Sequence, residues 1–158
     1  VTTKNTHNVE VMVFKTLSGD ITNNVASLVI DLNSVDSGVV IRDGRMRDLL
    51  FKTADNPTAT VTVELTSSLL SSLTVGQITQ ESVLATVEIN GTTNSISTTL
   101  SIQKLANNRI LVQTLKPVLV NANDYDLVAG IEALRNAASL NSISVAVPVD
   151  FALVFDAR

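Results

Sequence analysis

The sequence predicts a mostly β domain, and its composition and its apolar periodicity are the observations that predict it. The chain holds 18 Thr and 15 Ser, and hydrophobic residues make up 45% of it whereas charged residues make up only 16%. Thr, Val and Ile fit pleated strands, and few Lys, Glu and Arg remain for exposed helix faces. Apolar residues also alternate with polar ones along much of the chain, as they do in half-buried strands. The length of 158 residues suits one domain with a hydrophobic core.

The longest alternation lies near the carboxyl end of the chain. Apolar residues occupy every odd position from Ile143 to Phe155, a period of two that predicts one long strand. Pro148 lies within this run and has no N–H to donate, so it marks a bulge, a bend or a sheet edge.

A β-hairpin is predicted in the middle of the chain. Alternating runs at 83–89 and 96–102 flank Asn90-Gly91, and Asn-Gly between two such runs is a strong hairpin signal. The intervening residues 92–94 predict a turn longer than two residues.

Weaker alternation predicts further strands at 9–13, 26–32 and 59–65. Between 110 and 122 the apolar phase switches, which indicates a bulge or a strand bent around a corner. These segments bring the count to seven strands, and residues 1–4 would be the tail of an eighth.

Two segments depart from the strand period. Asn123–Leu140 begins with Asn-Asp-Tyr-Asp and then shows apolar residues at helical spacing, so we expect an amphipathic helix. Gly130 within it costs about 1 kcal/mol relative to Ala, so it is either tolerated or lets the helix sit close to a neighbour. Arg42–Phe51 is predicted to be a short helix, with Asp43 spaced to pair with Arg47.

Charge and residue counts exclude several functions. A net charge of -4 with 11 basic residues, one Tyr and no Trp provides neither the basic surface nor the aromatic side chains that nucleic-acid binding needs. The chain has no Cys and one His, His7, so it can build neither a thiolate or multi-His metal site nor a convincing nucleophilic triad. Mean hydropathy is +0.31, yet no apolar run reaches the roughly 18 residues of a membrane-spanning helix. The given sequence does not start with a signal peptide, so we expect a chain that is processed, trimmed or cut from something longer.

Three arginines form the clearest candidate binding group. Arg42, Arg45 and Arg47 fall within six residues, and a guanidinium cluster suits a phosphate or carboxylate head group. The alternative is that Asp43 and Asp48 neutralise the cluster. Acidic pairs elsewhere in the sequence are better explained as capping and turn residues than as a general acid and base.

The region around these arginines resembles a known family. Residues 30–38, the Arg42–Arg47 segment, Leu50-Phe51 and Asn56-Pro57-Thr58 are similar, in this order, to the signature of the YceI-like, polyisoprenoid-binding family. Arg45 stands where the family often has His, and Leu50-Phe51 replaces its Asp-Phe-Phe.

The resemblance implies an extended eight-stranded antiparallel lipocalin-like barrel, with one amphipathic helix and one short helix, whose tunnel accepts a long isoprenoid or related lipid. It implies a single domain over 1–158 with its first strand truncated, export to the bacterial periplasm or surface, and a non-enzymatic role in lipid binding or transport. We expect no cofactor other than a bound isoprenoid or other lipid. The head group would be bound by Arg42, Arg45 and Arg47. The candidates for the tunnel lining are Val61, Val63, Val87, Ile89, Leu100, Ile102, Val145, Val147 and Val149.

Two other functions stay open at this point. The barrel could be a structural or interaction domain in a larger assembly, because a missing first strand would leave an edge for a homodimer or a strand-donating partner. A hydrolase has the least support, because one His cannot supply the required groups. The shortage of large aromatic residues predicts an incompletely filled barrel, and an interior packed solid by side chains would argue against a lipid carrier.

Overall fold

The computed structural model describes residues 10–156. The strands are β1 (Val13–Phe14), β2 (Leu17–Thr22), β3 (Val25–Asp31), β4 (Val35–Asp36), β5 (Thr58–Glu64), β6 (Ile78–Ile89), β7 (Thr92–Ala106), β8 (Arg109–Thr114), β9 (Val118–Asn121), β10 (Ala146–Val149) and β11 (Ala152–Asp156). The α-helices are α1 (Val40–Arg45), α2 (Leu69–Ser72) and α3 (Val128–Ala137). Short 3-10 turns lie at Leu32–Ser34 and Ala122–Tyr125, and a π-helical turn at Met46–Phe51 follows α1.

Seven strands form one antiparallel sheet in the order β11-β8-β7-β6-β5-β3-β2. The sheet curls until its two outer strands meet, and a Cβ placed on Gly19 in β2 would lie 3.4 Å from Phe155 Cε1 in β11. The other four strands form two small sheets, β1 with β4 and β9 with β10. The predicted mostly β, barrel-like fold is confirmed, with seven strands in the barrel wall instead of eight.

The alternation in the sequence separates the two faces of the wall. Along β6 the odd residues Val83, Ala85 and Val87 are buried, whereas the even residues between them are exposed. The strand pairing carries this division across the sheet, because Ala26, Val63, Ala85 and Ile96 are register partners in successive strands. The inner face is therefore apolar, and much of the outer face bears hydroxyl groups.

The central hairpin has a tighter turn than the sequence predicted. Ile89 pairs with Thr92, so Asn90 and Gly91 alone form the turn. Their φ angles are 56° and 71°, and positive values at both central residues define a type I′ turn. Residues 92–94 belong to β7, so the expectation of a longer turn is wrong.

The run from Ile143 to Phe155 is not one strand. The first strand, β10, ends at Val149, and a second strand, β11, begins at Ala152. β10 pairs with β9 in a small sheet, whereas β11 pairs with β8 in the main sheet. Pro148 lies in β10, opposite Leu119, in a sheet of two strands where a missing N–H is tolerated. The phase switch between 110 and 122 has the same cause, because β8 and β9 also belong to different sheets. Residues 1–4 and Val9 lie outside the described residues.

The helices are shorter than predicted. The Ala122–Tyr125 turn precedes α3, and Asp126 with φ 54° separates the two. Met46–Phe51 ends at Lys52, which has φ 50°. Asp43 does not pair with Arg47, because its carboxylate is buried and accepts hydrogen bonds from the Ser37 N–H at 2.8 Å and from the Ser37 hydroxyl. Residues 67–73, to which the sequence pattern assigns no element, contain α2.

Gly130 lets α3 sit directly on the π-helical turn. A Cβ at this position would lie 3.0 Å from both Leu49 O and Leu50 Cα. Ala is the better helix former by about 1 kcal/mol, but here it would press against backbone that cannot easily move. We therefore expect Gly130→Ala to lower the free energy of unfolding by about 1–3 kcal/mol, measured by denaturant titration.

Gly44 in α1 is the matched control for this prediction. A Cβ there would meet nothing within 4 Å, so Gly44→Ala should gain its helix propensity and stabilise the protein by up to about 1 kcal/mol. Equal effects of the two substitutions would contradict the packing of α3 against Leu49 and Leu50.

Candidate functional site

A small apolar cavity, partly open to the surface, lies on the inner face of the barrel wall, with side chains of β3 and β11 among its lining. Its volume is about 30 Å³, and its wall is almost entirely carbon. The lining residues come from β3, β5, β7, β8, β11 and the segments next to β5 and β11, and they are Ala26, Ser27, Leu28, Val61, Val63, Leu65, Leu100, Val112, Phe151, Leu153 and Phe155.

Side chains fill most of the barrel around this cavity. A space of about 30 Å³ is only a few times the roughly 10–15 Å³ that one water requires. Phe151 and Phe155 pack against the core, and Tyr125 is 1% exposed within it. The barrel is therefore filled more than the shortage of aromatic residues suggests, because Tyr125, Phe151 and Phe155 lie in or against its core. It is not packed solid, since the cavity remains. A long apolar chain could enter only if part of the wall moved outward.

The seam is the part of the wall best suited to move. Within residues 10–156, β2 and β11 are joined by no backbone ladder, whereas every other neighbouring pair in the main sheet is. At the seam the Phe155 ring of β11 lies next to Gly19 of β2, where a Cβ would be 3.4 Å from Phe155 Cε1. The contact that requires glycine is with β3, because the same Cβ would lie 2.5 Å from Ser27 O. Separating paired strands breaks ladder hydrogen bonds, whereas opening the seam breaks none and costs the apolar contacts and apolar burial between the two strands.

Tyr125 is the polar group that stands out inside the apolar core. Its hydroxyl is buried and has no hydrogen-bond partner among the described residues. Burial raises the pKa of the Tyr125 hydroxyl above its usual value, with a smaller contribution from the charge of Asp124. The hydroxyl therefore stays protonated and can donate. Tyr125 belongs to the same core cluster as the cavity-lining residues Leu100 and Val112.

The predicted tunnel residues separate into two groups. Val61, Val63 and Leu100 line the cavity, Val87 and Ile102 are buried in the same core, and Ile89 packs at its margin. Val145, Val147 and Val149 lie outside the main sheet. Of these, Val145 packs against the core, Val147 pairs with Val120, and Val149 is exposed, so a lining role does not fit Val149.

The three arginines share one helical segment, but their side chains do different things. Arg42 forms an ion pair with Glu10 and donates to Ser37 O at 2.7 Å. Arg47 donates to Asn33 O at 3.4 Å. Arg45 makes no hydrogen bond or ion pair with any residue of the range 10–156. None of the three lines the cavity. Arg42 and Arg47 thus stabilise the local structure, whereas Arg45 forms no ion pair within residues 10–156.

The described part of the chain offers few groups for metal binding or nucleophilic catalysis. Residues 10–156 contain no group of three or more His, Cys, Asp or Glu side chains placed to hold a metal ion. His7 lies outside the described residues. Among the helices that the structure describes, none combines the length and the apolar character needed to cross a membrane.

Sequence reasoning missed several residues of the site. Phe151, Leu153 and Phe155 stand in the alternating carboxyl-terminal run, so their inward orientation had a signal there. Leu28 and Val112 also lie in alternating segments. Tyr125 had no such signal, because it was assigned to a helix start, where a polar surface position was the natural interpretation.

The architecture defines a lipocalin-like class of protein, a nearly closed antiparallel barrel with an apolar interior. The sequence matches the YceI-like domain family over residues 2–155. The chain belongs to this family, and the predicted resemblance is confirmed.

Solved structures agree with this assignment. A polyisoprenoid-binding domain from Saccharophagus degradans, implicated in plant cell wall breakdown, is 49% identical; the match covers 99% of this chain and 91% of that one, with a TM-score of 0.95. The Campylobacter jejuni YCEI protein is 15% identical, with 96% and 86% covered and a TM-score of 0.68. Burkholderia cenocepacia BcnA is 14% identical, with 90% and 86% covered and a TM-score of 0.67. The last two share the fold. No curated protein matches the sequence.

Proposed function

We propose that the protein binds a long isoprenoid lipid inside the barrel, as a carrier and not as an enzyme. The observation that supports this most directly is the apolar cavity on the inner face of a wall whose seam is unpaired. The similar domain from Saccharophagus degradans is a polyisoprenoid-binding domain. Burial of each methylene group contributes about 0.8 kcal/mol, so an apolar chain gains affinity along its whole length.

Entry of the chain requires the barrel to widen, because the cavity of about 30 Å³ is far smaller than such a lipid. We propose that β11 moves away from β2. Phe151, Leu153 and Phe155 line the cavity from the β11 side, so this movement enlarges the cavity directly. The apolar surface of the lipid then packs against the side chains that separate at the seam, which offsets the cost of opening.

Tyr125 does not line the cavity, but it lies in the same core cluster as the lining residues Leu100 and Val112, and we propose that it supplies one polar contact to the ligand once the barrel has widened. Its unpartnered hydroxyl can donate to an oxygen of the ligand, such as the carbonyl of an isoprenoid quinone. A buried donor without an acceptor is unfavourable by about 1–3 kcal/mol. An oxygen-bearing lipid that satisfies this donor would therefore be preferred over a pure hydrocarbon.

The proposed function can be tested with the protein's own fluorescence. The sequence has one Tyr and no Trp, so ultraviolet emission reports on Tyr125 inside the core. Titration with an isoprenoid quinone should quench this emission saturably, whereas the same quinone ring without its tail should not. Absence of saturable quenching, together with absence of quinone co-eluting with the protein, would contradict the proposal.

Tyr125→Phe is expected to separate ligand binding from stability. Removing a hydroxyl that has no partner should leave the free energy of unfolding unchanged or slightly higher, since no hydrogen bond is removed with it. Affinity for the isoprenoid quinone should fall about tenfold, the value of one hydrogen bond. Co-elution of quinone measures this affinity without the Tyr signal.

An isoprenoid hydrocarbon that lacks oxygen is the matched control ligand. It offers Tyr125 no acceptor, so the wild-type protein and Tyr125→Phe should retain equal amounts of it. A loss of stability of several kcal/mol in Tyr125→Phe, or an equal loss of both ligands, would contradict the assigned role of the hydroxyl.

A further inference from the structure

Glu81 is a charged residue on the inner face of the barrel wall. In β6 it precedes the buried residues Val83, Ala85 and Val87 in the same alternation, and it is itself half-buried. Its register partner in β7 is Leu100, which is buried and lines the cavity. Register partners project from the same face of a sheet. Glu81 does not line the cavity, but it lies beside a residue that does.

The two carboxylate oxygens of Glu81 differ in their partners. Oε1 accepts a hydrogen bond from the Thr66 N–H at 3.0 Å and a second from the Thr66 hydroxyl. Thr66 follows Leu65, which also lines the cavity. Oε2 is buried and has no hydrogen-bond partner among residues 10–156. Because a buried acceptor without a donor is unfavourable, Glu81 is held by one oxygen and can accept from a ligand through the other.

No cation neutralises this carboxylate. Glu81 forms no ion pair with any residue of the range 10–156, and Lys104 of the neighbouring strand donates instead to Leu73 O at 3.0 Å. A phosphate or carboxylate head group would therefore be repelled by Glu81. The group that fits Oε2 is an uncharged donor, and a hydroxyl is the smallest such group that a lipid chain can carry.

Glu81 and Tyr125 lie toward different ends of the barrel. The backbone carbonyl of Tyr125 accepts from the Asn90 side chain at 3.1 Å. At about 3.3 Å per residue, the segment of β6 between Glu81 and Asn90 spans roughly 30 Å. The Tyr125 hydroxyl donates, whereas Glu81 accepts, so the two residues select different oxygen groups on a ligand.

We propose that Glu81 binds the terminal hydroxyl of an isoprenoid alcohol and makes the barrel selective for this class of lipid. The inference rests on the proposed binding of an isoprenoid chain in the barrel, and it adds the polar group that the chain carries. The alcohol donates its O–H to Oε2, and its chain lies along Leu65 and Leu100 in the widened cavity. Hydrogen bonds to a charged acceptor are about twice as strong as neutral ones, so the alcohol is favoured over an isoprenoid without a donor.

Competition between an isoprenoid alcohol and its methyl ether tests this selectivity. The two ligands share one chain, but only the alcohol can donate. Wild-type protein offered equal amounts of both and then repurified should retain the alcohol in about tenfold excess or more, measured by mass spectrometry. Glu81→Gln should lose the preference. The two Thr66 donors keep the amide oxygen on their side, so the amide N–H groups face the ligand and donate equally well to an alcohol or an ether oxygen.

Glu88→Gln is the matched control, because it makes the same change at an exposed position on the outer face of β6. It should keep the wild-type preference, and so should Tyr125→Phe. Equal retention of alcohol and ether by the wild type, or an unchanged preference in Glu81→Gln, overturns the role of Glu81 but leaves isoprenoid binding in the barrel intact. A wild-type protein that retains neither ligand contradicts both proposals. If Glu81→Gln does not fold, the wild-type comparison decides alone.

Discussion

Ile102→Ala is expected to lower the free energy of unfolding by about 2–5 kcal/mol, the range for removing a fully buried aliphatic side chain. Ile102 is 0% exposed, lies within β7, and is a register partner of both Thr79 in β6 and Val112 in β8. The neighbouring strands are fixed by ladders on both sides, so the site cannot collapse to fill the space that the substitution leaves. Denaturant titration measures the effect.

Leu84→Ala provides the comparison for that experiment. Leu84 is exposed on the outer face of β6, so its truncation should change stability by no more than about 0.5 kcal/mol. A cost below about 1 kcal/mol for Ile102→Ala, or similar costs for the two variants, would contradict the assignment of the inner and outer faces of the barrel wall.

Val61→Phe is expected to abolish most lipid binding while the protein still folds. Val61 lies on β5 and lines the cavity, so a larger ring at this position occupies the space that a ligand would use. If the ring excludes about three methylene groups worth about 0.8 kcal/mol each, affinity for an isoprenoid quinone falls about fiftyfold. The added volume itself costs about 1–3 kcal/mol of stability. Quenching of Tyr125 emission measures the affinity.

Val154→Phe is the matched control, because it makes the same change on the outer face of β11. Val154 is exposed, and it stands between the lining residues Leu153 and Phe155. This variant should bind quinone like the wild type. Wild-type affinity in Val61→Phe, with the fold intact, would contradict the position assigned to the ligand.

The alternation of the barrel strands could be predicted from the sequence because it depends on a local period. Alternation placed Val63, Val87 and Leu100 on the apolar faces of their strands, but which face looks inward follows only from the strand register and burial. The hairpin could also be predicted, because its signal is local. The length of its turn could not, because no local feature of Thr92 shows whether it belongs to the turn or to the strand that follows.

Features that depend on distant pairing could not be predicted in this way. The run ending at Phe155 has an unbroken period, yet its first half pairs with β9 and its second half with β8. The arginine cluster was visible, but Glu10 and Asn33, which engage two of its members, come from other parts of the chain. The barrel closes where Phe155 approaches Gly19, more than a hundred residues away in the sequence. How far side chains fill the interior depends on this closure, so it could not be predicted either.

Mass spectrometry of an organic extract of the purified protein tests the central claim most directly. If the barrel carries an isoprenoid lipid, protein offered an isoprenoid quinone and then repurified should release that quinone in a fixed molar ratio. Val61→Phe, treated in the same way, should release far less of it, and Val154→Phe as much as the wild type. Wild-type protein that retains no quinone, or retains it in the same amount as Val61→Phe, would contradict the account.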